Sequence, residues 1–250
     1  MQQLPPCSRR AVNHKDEREV EAVQMTQDMD ESFAYFHNDE GFGPAINTAA
    51  VPPEVIAKFK GKLPDQLLSY WRQHGWSGYG NGLFWLVNPD EYEPALEAWI
   101  GDTPLMESDA YYVIARSAFG EMFLWGAKSG QSLDIKSLWG MMFPRDNSER
   151  VSQGKSGMLI QNFIVGLDKK GLDQKDHLDK PLFDRASKTL GSLAPDEMYA
   201  FEPALAIGGK ADLKNLRKVK AVEHLVMLAQ LGERQIMRDI VKDAKAQGLM

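Results

Sequence analysis

The chain has little cysteine, no long apolar run and one long stretch without a basic residue. Its 250 residues contain a single cysteine, Cys7, which excludes an internal disulfide framework and any zinc site built from several cysteines. Such low cysteine usage is typical of a reducing compartment, so we expect a cytoplasmic protein. No window approaches eighteen consecutive apolar residues, and we therefore expect no membrane-spanning helix.

The first 28 residues are polar. Residues 1–28 carry charges throughout and lack the apolar core of a secretory signal peptide. We interpret them as a polar tail or extension, with Met25 or Met29 as alternative natural starts.

Charge is unevenly distributed along the chain. The formal net charge is −6, yet no lysine or arginine lies between Arg72 and Arg116. That stretch holds seven carboxylates: Asp90, Glu91, Glu93, Glu97, Asp102, Glu107 and Asp109. In contrast, residues 210–250 contain nine basic and five acidic residues. The sequence therefore predicts one acidic segment and a mildly basic C-terminal segment.

Local patterns in the first half predict short helices followed by strands. Asp30 is a suitable N-cap, two prolines open a helix over 52–61, and Gly75 ends the next helix over 63–75. A strand is predicted over 82–87 and a helix from Asn88, interrupted or restarted at Pro94. A hairpin over 110–128 and one or two strands over 131–143 complete this half.

The second half mixes helices and strands without regular alternation. Helices are predicted over 148–167, 181–191 and 233–247, and a strand over 197–209, punctuated by Pro203. Residues 218–232 fit either a strand or a helix. Because the strands meander instead of alternating with helices, we predict an α+β fold: mainly antiparallel sheets packed with helices, in two closely associated subdomains.

The glycine-rich loop GWSGYGNG, residues 75–82, raises the possibility of a phosphate site. Its spacing does not match the dinucleotide fingerprint. A phosphate loop leads from a strand into a helix N-terminus, whereas this loop follows a helix C-terminus, which is partly negative. We therefore interpret the glycines as turn residues. The GKS match at 154–156 has Glu149 where a Walker loop needs glycine, and we interpret it as a chance match.

No residue pattern predicts catalysis or a metal. The five histidines form no close ligand pair. The aspartates of residues 168–179 alternate with lysines and lack calcium-loop spacing, so a solvated loop is the better interpretation. No nucleophile motif is present. We expect no catalytic residue, no metal site and no cofactor, although an enzyme with an unrecognised site stays an alternative.

The acidic segment with its aromatic residues is the best candidate for a binding surface. Carboxylates without cationic neighbours repel each other, so a basic partner would relieve them, and exposed aromatics beside charge are typical of binding hot spots. Phosphates would be repelled there, whereas the basic C-terminal segment weakly permits a nucleic-acid contact. The predicted partner-binding residues are Trp76, Tyr79, Asp90, Glu91, Glu93, Glu97 and Asp102.

Two regions resemble known protein domains. The run PPEVIAKFKGKLPDQLLSYWRQHGWSGYGNGLFWLVNPDEY, residues 52–92, resembles the opening of GAD-like domains. EMYAFEPALAIGG and VEHLVMLAQLG, residues 197–209 and 222–232, resemble the C-terminal domain that accompanies it in immunity proteins of type VI secretion systems. The resemblance implies two α+β domains, which we place at residues 29–144 and 145–250.

The resemblance also implies a function. Such immunity proteins bind and neutralise a cognate effector toxin, and in well-known members that toxin is a DNase. We therefore expect a cytoplasmic antidote that occludes the active or DNA-binding surface of a basic toxin, is not an enzyme and does not bind membranes. An adaptor or chaperone that prepares an effector for secretion is the alternative within the binding class.

Overall fold

The computed structural model describes residues 29–239, and every structural statement below concerns that range. The helices are α1 (Glu31–Ala34, continued by a π-helical turn over Tyr35–Asp39), α2 (Pro53–Phe59), α3 (Asp65–His74), α4 (Glu93–Ile100), α5 (Pro104–Ser108), α6 (Ser148–Ser152), α7 (Ser156–Val165), α8 (Lys169–Leu172), α9 (Phe183–Leu190) and α10 (Ala221–Gln230). The strands are β1 (Ile46–Ala49), β2 (Trp76–Tyr79), β3 (Phe84–Leu86), β4 (Tyr111–Ser117), β5 (Met122–Gly126), β6 (Gly130–Lys136), β7 (Met141–Pro144), β8 (Glu197–Phe201), β9 (Leu216–Lys220) and β10 (Gln235–Ile236).

The strands form one large sheet and one small sheet. The large sheet has eight strands in the order β1-β2-β3-β4-β5-β6-β7-β10. Its neighbours are antiparallel except for β7 and β10, which are parallel. The small sheet is the antiparallel pair β8 and β9. The predicted α+β fold with mainly antiparallel sheets and packed helices is confirmed.

The central strands of the large sheet, β3 to β5, are buried on both faces because they carry apolar side chains that alternate between the faces. Phe84 and Trp85 of β3 point to opposite faces, and both are buried. On the first face, Phe84 lies 5.8 Å from the ring of Phe36 and 6.2 Å from that of Phe163. On the second face, Trp85 lies under the guanidinium of Arg116, 5.2 Å from its ring centroid.

Helices cover each face. On the first face, α7 packs against α1, α3 and β6. On the second face, α4 packs against β4 and α10, and the indole Nε1 of Trp99 donates to the Leu225 carbonyl at 2.9 Å. Elements from the two halves of the sequence thus share one core. The end of β7 at Pro144 and the start of α6 at Ser148 flank the predicted domain division at 144 and 145, which stays a prediction.

Arg116 joins the large sheet to the small one. Its side chain is fully buried. Its Nε donates to the Tyr92 hydroxyl at 2.6 Å, and its Nη2 donates to the carbonyls of Pro195 and Glu197 at 2.7 and 2.8 Å. Arginine suits this position because its planar group serves several acceptors in fixed directions. The large sheet and the segment that leads into β8 are therefore held in one arrangement.

Several predicted element ends are confirmed. Asp30 is the N-cap of α1, where its Oδ1 accepts from the backbone N–H of Ser32 and Phe33 at 2.9 and 3.0 Å. Pro53 begins α2, and Gly75 ends α3. Residues 218–232, whose sequence fits either a strand or a helix, contain the end of β9 and all of α10.

Three element predictions are wrong. Asn88 caps only a turn, through a 3.2 Å bond from the N–H of Asp90, and the helix begins at Glu93 with Pro94 in its first turn. The helix predicted over 148–167 divides at Gly154, whose φ of +72° is incompatible with a helix. The final helix predicted over 233–247 is replaced at its start by β10, since the N–H of Gln235 bonds to the Gly140 carbonyl at 2.8 Å.

Two further predictions concern the ends of the chain and membranes. The proposed tail over 1–28, and residues 240–247 of the predicted last helix, lie outside the described residues. Among residues 29–239, no helix is long and apolar enough to cross a bilayer.

Candidate partner-binding site

Helix α4 presents an acidic outer surface. Its inner side buries Ala95, Leu96, Trp99 and Ile100. Glu93 and Glu97, four positions apart, therefore lie on the opposite side, and both are exposed, as is Glu91 in the turn before the helix. The amphipathic pattern of α4 thus places these three carboxylates at the surface.

The fold supplies cations to two of the carboxylates in the acidic segment. Lys58 of α2 lies 2.7 Å from Asp90, and Arg234 lies 2.7 Å from Asp102. The bond from Arg234 lowers the pKa of Asp102 below its usual value. The segment contains no basic residue in its own sequence, but the fold brings two basic side chains from other segments next to it. Its excess of negative charge is smaller than the sequence suggests.

A third carboxylate is internal. Asp109 is 6% exposed. It accepts from the backbone N–H of Lys128 and Ser129 and from the Ser129 hydroxyl. These bonds hold the turn between β5 and β6. Asp109 therefore has a structural role and contributes nothing to a binding surface.

A groove of about 800 Å³ lies at the end of α4. It runs between the C-terminal ends of α4 and α10, and Glu97, Asp102 and Glu233 contribute its carboxylates. Its one basic lining residue, Arg234, donates through Nη1 to the Ala98 and Trp99 carbonyls at 2.8 and 2.9 Å. Because this arginine is used to cap α4 and to pair Asp102, the groove keeps a negative balance.

Exposed apolar side chains lie beside the groove. Trp139 is 52% exposed, Ile207 57% and Ile236 42%, and Ile236 lines the groove itself. Trp139 precedes Gly140, whose carbonyl binds the N–H of Gln235, and the 3₁₀ turns that carry Trp139 and Ile207 contact each other. Sequence reasoning missed Trp139, because nothing in the local sequence distinguishes it from the buried tryptophans.

We define the acidic face as Glu91, Glu93, Glu97, Asp102 and Glu233, and the apolar rim as Trp139, Ile207 and Ile236. The structure brings together Glu97 and Asp102 of the predicted site with Glu233, which the sequence did not single out. Charge of one sign next to exposed aromatic and branched apolar side chains is suited to binding a protein with a basic surface.

The prediction that Trp76 and Tyr79 are exposed is wrong. Tyr79 is 1% exposed and packs 5.3 Å from the ring of Phe36. Trp76 is half-buried against Trp71, with the rings edge to face at 5.7 Å. Both lie on β2, which pairs with β1 and β3 inside the sheet, and this pairing accounts for their burial. The glycine-rich sequence around them is typical of a loop and did not predict a strand. Tyr79 has no surface with which to contact a partner.

Two histidines, His74 and His224, are placed for packing. His74 lies stacked on Phe33, and burial lowers its pKa to about 4. His224 of α10 is 7% exposed, and burial lowers its pKa as well. Within residues 29–239, no cluster of three or more histidine, cysteine or acidic side chains is arranged to hold a metal ion.

The basic C-terminal segment is largely paired in its described part. Lys218 lies 3.0 Å from Glu197, and Arg217 lies 3.8 Å from Glu202. Lys220 pairs with Asp196. Since these cations face carboxylates of neighbouring elements, the segment offers less positive charge to a nucleic acid than its sequence suggests.

Comparisons with known proteins match both halves of the chain. Residues 32–139 match the family model of the GAD-like domain, and residues 159–232 match that of the T6SS immunity protein Tdi1, C-terminal, where T6SS is the type VI secretion system. Both resemblances expected from the sequence are confirmed. No curated protein matches the chain.

A solved structure shares the fold. The crystal structure of Atu4351 from Agrobacterium tumefaciens is similar with a TM-score of 0.71 and 23% sequence identity. The match covers 81% of this chain and 91% of that chain. The arrangement of sheets and helices described above is therefore also found in a crystal structure.

Proposed function

The chain combines a GAD-like domain with the C-terminal domain of the T6SS immunity protein Tdi1, and from that premise we propose that it neutralises a cognate effector toxin, a DNase, by covering the toxin's DNA-binding surface with its acidic face. In this proposal the protein acts by binding alone. It needs neither a catalytic residue nor a cofactor.

The observation that carries the proposal is the unpaired charge on α4. Among residues 29–239, no lysine or arginine nitrogen lies within 4 Å of the carboxylates of Glu91, Glu93 or Glu97, whereas Asp90 and Asp102 have such partners. Neighbouring carboxylates of like charge raise each other's energy. A cationic partner surface removes that cost, so the free protein is arranged to gain from binding a basic protein.

A DNase has a basic surface where it meets DNA, since affinity for DNA comes largely from cations that neutralise phosphates. Carboxylates spaced along α4 and the groove would stand where those phosphates lie in the toxin's substrate complex. Occlusion then follows without contact to the toxin's catalytic residues. Electrostatic complementarity of this kind also accelerates association and disfavours partners of the wrong charge.

The apolar rim supplies binding affinity that the charged residues alone do not. Ion pairs at the solvent-exposed edge of an interface contribute little affinity, whereas aromatic side chains that become buried dominate the binding energy of many interfaces. Trp139 is half-exposed and adjacent to the acidic groove, so it can anchor a partner that the carboxylates have oriented. A stable complex would bury on the order of 1,600 Å² in total.

Charge reversal on α4 tests the proposal. We expect Glu93→Lys together with Glu97→Lys to weaken binding of the toxin encoded in the adjacent reading frame by about tenfold or more, because each change replaces attraction by repulsion. Isothermal titration calorimetry at two salt concentrations measures the affinity and its salt dependence. Growth of cells that express the toxin measures protection.

Glu31→Lys together with Glu149→Lys is the matched control, because it reverses the same number of charges and both residues are exposed in the first turn of a helix, as Glu93 is. It should leave affinity and protection unchanged. An equal loss in the control, or unchanged affinity and salt slope in the α4 variant, would exclude the acidic face as the binding surface. A protein required for toxin export but not for protection would instead be an adaptor.

A further inference from the structure

A second cavity lies at the glycine-rich loop between β2 and β3. Residues 80–83 of the loop and residues 169–184 of the C-terminal half enclose a volume of about 630 Å³. Sites for small ligands typically have volumes of roughly 300–1,000 Å³. The acidic face contributes no residue to this cavity, so it is independent of the proposed toxin-binding surface.

Lysines outnumber carboxylates in the lining. Lys169, Lys170 and Lys175 contribute positive charge, and Asp173 and Asp184 contribute negative charge. All three lysines are exposed. The cavity therefore carries a net positive charge, opposite in sign to the acidic face.

The carboxylate of Asp173 is already used within the fold. Its Oδ1 accepts from the backbone N–H of Phe183 at 2.8 Å and of Leu182 at 3.3 Å. These bonds hold the start of α9. Because Oδ1 is occupied by these backbone donors, it is not free to pair with a lysine, and the three lysines still exceed the two carboxylates of the lining by one charge.

Lys169 is fixed at the cavity. Its Nζ donates to the Gly41 carbonyl at 2.6 Å and lies 5.4 Å from the ring centroid of Phe42. An ammonium group has three donors, so two remain for a ligand. Lys170 forms no hydrogen bond or ion pair with the described residues, and Lys175 forms only a surface pair with Asp179 at 3.0 Å, which is weak in water.

The rest of the lining is mainly apolar, with Asn81 as its polar side chain. Leu83 and Phe183 are 4% and 5% exposed, and Pro181 lies beside them. An apolar wall opposite a set of cations favours a ligand with an apolar ring and an anionic group over a bare inorganic ion. The cavity thus combines two recognition elements that one small molecule could satisfy together.

The glycines do not themselves form the anion site. A Cβ at Gly80 would lie 3.2 Å from Phe42, and one at Gly82 would lie 3.2 Å from Trp85, so both are glycines because aromatic rings approach closely. The loop follows a helix C-terminus, and no lysine or arginine lies between Arg72 and Arg116 in the sequence. The fold supplies the cations from α8 and the turn after it, which sequence distance concealed.

We propose that this cavity binds a small organic anion in which a phosphate or carboxylate is attached to an apolar ring. The lysines hold the anionic group, with Lys169 as the fixed donor and Lys170 and Lys175 as mobile ones. The ring lies against Leu83, Pro181 and Phe183. Phenyl phosphate and benzoate are probes for the phosphate and the carboxylate forms.

Titration calorimetry on the full chain tests this binding. At least one probe should bind saturably at one site per chain, and more weakly as salt is raised. Phenol and inorganic phosphate should each bind at least tenfold more weakly than the ring-bearing anion, since each lacks one recognition element. Binding of neither probe, or equal binding of inorganic phosphate, would overturn the proposal.

Variants locate the site. Lys170→Glu and Lys175→Glu should each weaken probe binding by about tenfold, the effect expected for loss of one charge-assisted hydrogen bond. Lys155→Glu is the control, because Lys155 is exposed and does not line the cavity. Circular dichroism verifies folding. Unchanged affinity in both cavity variants, or an equal loss in the control, would refute the assignment, and toxin binding should be unaffected throughout.

Discussion

His74 at the end of α3 illustrates how single side chains are fixed in this fold. Its ring stacks on Phe33 at 4.1 Å with the planes 8° apart, and its Nε2 is buried without a hydrogen-bond partner among the described residues. Burial, reinforced by the nearby His37, lowers its pKa from 6.5 to about 4, against a smaller opposing effect of Asp30. The ring therefore acts as a neutral, flat packing group.

A neutral buried histidine makes stability depend on pH. The folded-state pKa lies below the unfolded value, so between pH 6.5 and about 4 the unfolded chain binds a proton that the folded chain does not. Stability from this group is complete above pH 6.5 and decreases as the pH falls to about 4. The loss is on the order of 2 kcal/mol, after allowance for partial exposure.

We predict that His74→Phe flattens the pH dependence of the free energy of unfolding over this interval. Phenylalanine keeps the stacking on Phe33 and cannot be protonated. Urea denaturation at several values of pH measures the effect. His177→Gln is the control, since the His177 side chain is 59% exposed. A curve for His74→Phe parallel to that of the unaltered protein would contradict the role given to this ring.

At the scale of elements, the junction of α3 and β2 depends on a close approach of two backbones. Gly75 ends α3 with φ +65°, and a Cβ there would collide with the carbonyl oxygen of Ala49 in β1. The glycine thus permits the helix to end and β2 to pair with β1 within one residue. Gly61 after α2 also has a positive φ, of +78°, but lies in open space.

We predict that Gly75→Ala destabilises the protein by about 2–6 kcal/mol, the sum of about 1–3 kcal/mol for a backbone conformation essentially confined to glycine (φ 65°, ψ −166°) and a packing penalty of about 1–3 kcal/mol. Gly61→Ala carries only the backbone penalty and should cost about 1 kcal/mol. Thermal and urea unfolding of both variants measure the difference. Equal costs would mean that β1 moves freely away from Gly75.

Local signals predicted elements where the deciding contact is near in sequence. Asp30 caps its own helix two and three residues on, and the hairpin of β4 and β5 turns where glycine allows it. The helix predicted from Asn88 failed since the cap supports only a turn before Pro94. A cap residue and a proline are compatible both with a helix that begins at Asn88 and with a turn followed by a later helix. The packing of α4 against α10 decides between these two structures.

The candidate site depends on contacts that are distant in sequence. The acidic character of α4 could be predicted, because composition determines it. Its partial neutralisation could not, because Lys58 and Asp90 are 32 positions apart and Arg234 and Asp102 are 132 apart. Burial of Tyr79, exposure of Trp139 and the lysines near Gly80 likewise follow only from the tertiary arrangement.

For the whole molecule, position matters more than total charge. The net charge of −6 is moderate, but three unpaired carboxylates lie together near α4, while the cations of β9 are paired with carboxylates. A local excess of this kind steers an oppositely charged partner before contact and increases association rates at low salt. The association rate constant with a basic toxin should therefore depend on which carboxylates are removed.

We predict that replacing Glu91, Glu93 and Glu97 by glutamine lowers the association rate constant for the cognate toxin about tenfold at low salt. Stopped-flow measurements across ionic strengths should also show a shallower salt dependence, since screening acts over about 10 Å at 0.1 M. The control replaces Glu31, Asp65 and Glu149 by their amides; these residues are exposed in first turns of other helices. Both triple variants change the net charge equally. If the association rate constant decreases equally in both triple variants, electrostatic steering depends on total charge, and the acidic face has no special role in guiding the toxin.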